Sequence, residues 1–158
     1  MTLHVGTGKV TAHDRMVRAI ARGRTDIGFF CSTFLGVTPH PGQLEWLENA
    51  EATVNVLATA NRWGKTFTIP ARHFHRCCYK IGAEARYLDD RGKVDLHKFR
   101  RTKYHTVHTA GEWETAALVE QEARKMRAES LHLQALVPRF PASKPPHAEF
   151  ANGARWKR

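Results

Sequence analysis

Gly64-Lys65-Thr66 lies within VNVLATANRWGKTFTI, residues 54–69, and combines three residue types that can hold a polyphosphate. In a phosphate-binding turn, a tight strand-to-helix connection points several backbone N–H groups at one anion, and the helix N-terminus adds partial positive charge. The lysine reaches the β and γ phosphates, and the hydroxyl that follows it ligates Mg²⁺. On this pattern Lys65 supplies charge, Thr66 binds Mg²⁺, and Ala60, Asn61, Arg62, Trp63 and Gly64 line the turn. Position 59, where G-x-x-x-x-G-K-[ST] has its first glycine, holds Thr59, which costs the loop conformational freedom. Trp63 either covers the nucleotide or packs on the helix; Arg62 either senses the γ-phosphate or forms a salt bridge.

A bare G-K-[ST] arises by chance in roughly one chain in ten of this length, so its context decides. VNVLAT, rich in β-branched residues, predicts a buried strand ending at the turn, with 54–58 as a central parallel strand. From Gly64 to Lys80 the apolar positions Phe67, Ala71, Phe74, Cys78 and Ile81 keep helical spacing, with Arg72, Arg76 and Lys80 on another face. Pro70, past the first turn, predicts a kinked or shortened helix.

Other segments frame this pair. Residues 13–24 predict a basic helix with Met16, Val17 and Ile20 as its apolar side, and Gly42 to Ala50 a second helix with Leu44 and Leu47 inward. Residues 82–103 read as a long loop or small insertion, and YHTVHT as a strand. Thr109-Ala-Gly-Glu112 matches a capping box opening a helix to about Glu129, with Trp113, Ala116, Ala117 and Met126 among its core candidates. Residues 131–137 are open between helix and strand. PRFPASKPP reads as a linker, and AEFANGARWK as a hairpin turning at Asn152-Gly153. This order predicts an α/β class.

The 158 residues suit one domain, and an excess of 25 Lys plus Arg over 15 Asp plus Glu favours a polyanionic partner. Lys98 to Lys103, the densest basic run, reads as a solvated face. Cys31, Cys77 and Cys78 make no disulfide framework and point to a reducing, intracellular compartment. No apolar run is long enough to span a membrane, and MTLHVGTGKV lacks a signal-peptide core. Gly6 to Thr11 reads as a flexible terminus. His73 and Cys77, one helical turn apart, could share a metal-ligand face, but core cysteines beside surface histidines are the favoured reading.

FCSTFLGVTPHPGQ, residues 30–43, followed by EWL and then ANRWGKT, resembles the large terminase subunit of tailed bacteriophages, the ATP-driven motor that packages DNA into the prohead. That family's phosphate loop lacks the first glycine, carries an internal arginine and often reads R-W-G-K-[ST]. The resemblance covers about residues 28–158, is strongest over 29–66 and is loose after 82. It implies that Gln43 reads adenine and that Arg62 stabilises developing charge. The implied fold is a P-loop NTPase-type parallel sheet flanked by helices, incomplete here and preceded by a basic segment over residues 1–27. ATP and Mg²⁺ are the implied cofactors, and double-stranded DNA, the portal and the small terminase subunit the implied partners. The implied location is the bacterial host cytoplasm during phage assembly, with no membrane association.

The departures shape the expected activity. The nearest match to the family's Walker B strand is Ala85-Arg-Tyr-Leu-Asp89-Asp90, which has an internal arginine and follows the first helix too closely. It reads as a decoy, and no nuclease domain is expected within these residues. The leading reading is the ATP-binding part of the motor, not hydrolytically competent alone. An unpaired sheet edge would favour self-association. The rival readings are a helicase-like nucleic-acid translocase and a non-enzymatic remnant binding DNA or a partner through its basic surface.

Overall fold

The computed structural model describes residues 11–49, 63–111, 113–141 and 146–157. The expected strand over 54–58, turn positions Thr59, Ala60, Asn61 and Arg62, residues 6–9 of the terminal stretch and residues 142–145 of the linker lie outside them. Helix predominates in the described residues. In chain order the helices are α1 (Ala12–Thr25), α2 (Ile27–Phe30), α3 (Pro41–Asn49), α4 (Lys65–Tyr79), α5 (Leu96–Arg101), α6 (Trp113–Glu129) and α7 (Leu131–Leu136). The strands are β1 (His105–Val107), β2 (His147–Glu149) and β3 (Arg155–Lys157).

The strands form a mixed sheet in the order β1-β3-β2, with β1 parallel to β3 and β2 antiparallel to it. Asn152-Gly153 closes the β2–β3 hairpin, and Gly153 takes the left-handed conformation (φ 80°) the turn requires. Trp156 of β3 is buried beside Phe74 of α4, ring centroids 5.9 Å apart. Phe30 and Phe34 close the other flank, and Val119, Ala123 and Met126 of α6 add the small and flexible side chains that let two helices approach.

Helix α4 is the axis of this core. Ala71 and Phe74 of the expected stripe are fully buried, but Cys77 takes the place expected for Cys78, which is half-buried like Phe67 and Ile81. Pro70 does not shorten it, for α4 continues to Tyr79. A proline at the sixth helical position removes only the amide that would bond the Thr66 carbonyl, and its ring is fully buried.

Several expectations need correction. Met16, Val17 and Ile20 of α1 are 40–51% exposed, so the apolar side of that helix does not face the core. Lys80 does not share the half-buried face of Arg72 and Arg76. It is fully buried in the left-handed conformation that ends α4 (φ 51°). Its Nζ donates to the carbonyls of Phe99 (2.5 Å) and Thr102 (2.7 Å), which pins α5 to α4. Residues 82–103 carry structure of their own: a 3₁₀ turn, a Leu88–Val94 bridge and α5, held by the buried Tyr87 hydroxyl on the Tyr79 carbonyl (3.1 Å).

Helix α6 begins at Trp113, so Thr109 is too far upstream to be its N-cap. The ambiguity over 131–137 resolves as helix, because Ser130 caps Leu133 N–H and its hydroxyl donates to the Phe34 carbonyl. Among the described residues no helix is long and apolar enough to cross a membrane.

Candidate nucleotide-binding site

The start of α3 makes the site's first fixed point. Pro41 occupies the first helical position, where its missing N–H costs nothing. His40, just ahead of it, does the work of an N-cap: its Nδ1 accepts from Gln43 N–H at 3.3 Å, and Gln43 Oε1 accepts from His40 N–H at 3.0 Å. This reciprocal exchange is a capping box with a histidine in place of serine or threonine. With Nδ1 accepting, the ring proton is assigned to Nε2.

Both residues then reach across 20 or more positions of sequence to one carbonyl. Gln43 Nε2 donates to Trp63 O at 3.0 Å, and His40 Nε2 lies 3.1 Å from the same oxygen. The His40 and Trp63 rings meet edge to face at 5.0 Å. The entry to α4 is thus clamped to the entry to α3.

Gly64 follows in the left-handed region (φ 91°), and a Cβ there would overlap the Gln43 side-chain amide. The position needs glycine on both counts. Its carbonyl accepts from Phe67 N–H, Thr68 N–H and the Thr68 hydroxyl, each at 3.0 Å, which tightens the first turn of α4. Gly64 brings no capping side chain. Lys65 and Thr66 are the first two residues of the helix; Lys65 is half-buried and Thr66 exposed.

The structure therefore brings Gln43, Trp63, Gly64, Lys65 and Thr66 to one place, while Ala60, Asn61 and Arg62 lie outside the described residues. The described contacts of Trp63 are with His40, just ahead of α3, and with Gln43 of α3. Gln43 is buried, with one hydrogen bond at each end of its amide.

Asp89 and Asp90 follow the isolated Leu88–Val94 bridge and end no named strand. Asp89 Oδ1 accepts from Arg91 N–H (2.9 Å) and Lys93 N–H (2.7 Å), closing a tight turn whose 84–86 approach is a 3₁₀ turn. His73 and Cys77 do not share a metal site. His73 stacks on Trp156 (5.3 Å, 13° between planes), and Cys77 Sγ lies 3.3 Å from Thr106 Oγ1. Burial pushes Cys77 up to about 12, out of thiolate range. Among the described residues no group of three His, Cys, Asp or Glu is placed to hold a metal.

The histidines of this helix are not the surface groups expected. His75 is buried with Nε2 2.9 Å from the Gly23 carbonyl, and burial drives it down to about 4. His73 falls to about 3 through burial first, then repulsion from His108, Arg72 and Arg76.

Sequence reasoning missed His40, although H-P-G-Q places a cap-competent ring, a first-position proline and a third-position glutamine in order. Comparison with family models, curated proteins and solved structures finds no match to this chain.

Proposed function

We propose that the chain is the ATP-binding part of a phage DNA-packaging terminase motor, with Mg²⁺-ATP seated at the start of α4. The observation that carries this reading is the clamp of His40 and Gln43 on Trp63 O beside a left-handed Gly64, where a 15-residue helix opens with Lys65-Thr66. It supports the reading because a phosphate turn needs a rigid entry, a glycine that frees the backbone and a helix N-terminus.

In this proposal Lys65 neutralises the β and γ phosphates, Thr66 ligates Mg²⁺, residues 60–64 supply turn amides, and Gln43 reads adenine. Arg62 stabilises charge that develops on the transferring phosphoryl group. The fold would be completed by a P-loop parallel sheet built on the strand expected over residues 54–58. Double-stranded DNA, the portal and the small terminase subunit are the partners the motor would engage in the host cytoplasm.

Binding without turnover is part of the proposal. Phosphoryl transfer to water needs one carboxylate to hold Mg²⁺ and another to orient the nucleophile. Asp89 is spent on its own turn, and its neighbour Asp90 is exposed beside it. Residues 1–158 are therefore expected to bind nucleotide and release no phosphate.

Thermal melting tests the reading. A ligand that binds only the folded state stabilises it by about 2.7 kcal/mol at a hundred times its Kd. Mg²⁺-ATP should raise the melting temperature of the wild-type chain and leave that of Lys65→Ala unmoved. No shift in the wild type would favour the non-enzymatic binding protein.

A further inference from the structure

We propose that Arg72 and Arg76 of α4 form a second, separate phosphate-binding site, open between α4 and β1. Arg76 lies 11 residues past Lys65, about 16 Å along the helix axis, beyond reach of a phosphate held at the helix start. The two arginines are one turn apart on the same face and wall two clefts, one on each side of the helix.

The two clefts differ in charge. The one towards α1 and α3, about 350 Å³, also presents Arg24 but contains Glu48 and Glu84. The one towards β1, about 460 Å³, is completed by His73, Tyr104, His105 and Thr106, and no carboxylate among the described residues lines it. Among the described residues no carboxylate pairs with Arg76. Lys103, Arg155 and Lys157 add positive potential at His105.

Such a cleft favours an anion for three reasons. A guanidinium fork matches phosphate oxygens bidentately. Arg72 is held in place over the Trp46 ring at 4.9 Å, so part of its ordering cost is met before a ligand arrives. Burial, and then repulsion from Arg76, draws Arg72 down to about 10, a cost that a bound anion would relieve. The volume is that of an ordinary small-ligand cleft and admits a phosphate with its attached nucleoside.

The ligand chemistry is a phosphate group, from either a small phosphate compound or a nucleic-acid backbone. Pyrophosphate and a short fluorescein-labelled single-stranded oligonucleotide, titrated into the full chain at low salt, separate these sources. Binding of the oligonucleotide alone assigns the backbone, and binding of both assigns a free phosphate compound as well. For the oligonucleotide, Arg76→Gln should weaken affinity about tenfold or more, Arg76→Lys less, and Lys65→Ala not at all; for pyrophosphate, which the start of α4 also attracts in the reading above, the same Arg76 dependence should persist in the Lys65→Ala background. Failure of both probes to bind, or equal affinity in wild type and Arg76→Gln, overturns the proposal. A loss confined to Lys65→Ala also overturns it, by moving the phosphate to the α4 N-terminus. The Lys65 dependence thus distinguishes failure here from failure of the nucleotide reading above.

Discussion

At Gly64 the backbone and the packing make the same demand. A non-glycine residue at φ 91° pays roughly 1–2 kcal/mol for the left-handed conformation, and a Cβ would also press on Gln43. Gly64→Ala should lower unfolding stability by at least that amount in urea titration and loosen the Trp63 clamp. Unchanged stability would show that the turn is not held as described.

His75 gives a pH prediction. Its folded value is drawn down to about 4 from an ordinary 6.5, chiefly by burial. Between those values the unfolded chain binds a proton that the folded chain refuses, so stability falls as pH drops through that window. The loss should be of the order of 1–3 kcal/mol by pH 4. Denaturant melts at pH 7 and pH 4.5 measure it, and His75→Gln should flatten the dependence; His73, drawn to about 3, contributes in the same sense.

Between elements, the tie most open to test is Asn152. Its side-chain amide donates to the carbonyls of Cys77 (2.9 Å) and Cys78 (2.7 Å), near the C-terminus of α4, while its own oxygen accepts from Ala154 N–H. It therefore satisfies two helix-end acceptors and shapes the hairpin turn at once. Asn152→Ala should cost about 1–3 kcal/mol by chemical denaturation, more than a surface substitution's few tenths.

The legibility of the fold follows the range of the interactions. Helix α4 and the β2–β3 hairpin were readable because a periodic apolar stripe and an Asn-Gly pair act within a few residues. The burial of Lys80, expected on one face with Arg72 and Arg76, was not. Its reason is the pair of carbonyls at Phe99 and Thr102, about twenty residues away, which reward burying an ammonium that helix periodicity alone leaves in solvent. The exposed stripe on α1 has the same lesson: periodicity says which residues share a face, and packing decides whether that face is covered. At the site, G-K-T marked the helix start, whereas the clamp on Trp63 O depends on contacts across 20 or more residues that only the fold brings together.

Over the whole molecule, the +10 formal charge favours polyanionic partners. Arg72 and Arg76 share one face of α4, while the α3–α4 junction carries the G-K-T signature. These are two separable expectations for phosphate chemistry on one helix. With the Asp89 carboxylate closing a local turn, phosphate release from Mg²⁺-ATP by the purified chain should stay at the level of Lys65→Ala in a steady-state assay.

Titration calorimetry of Mg²⁺-ATP into the wild-type chain, Lys65→Ala and Arg76→Gln tests the central claim most directly. The account predicts saturable binding by the wild type, retained in Arg76→Gln and lost or weakened at least tenfold (about 1.4 kcal/mol) in Lys65→Ala. Equal affinity in wild type and Lys65→Ala, or no binding by the wild type, would contradict it.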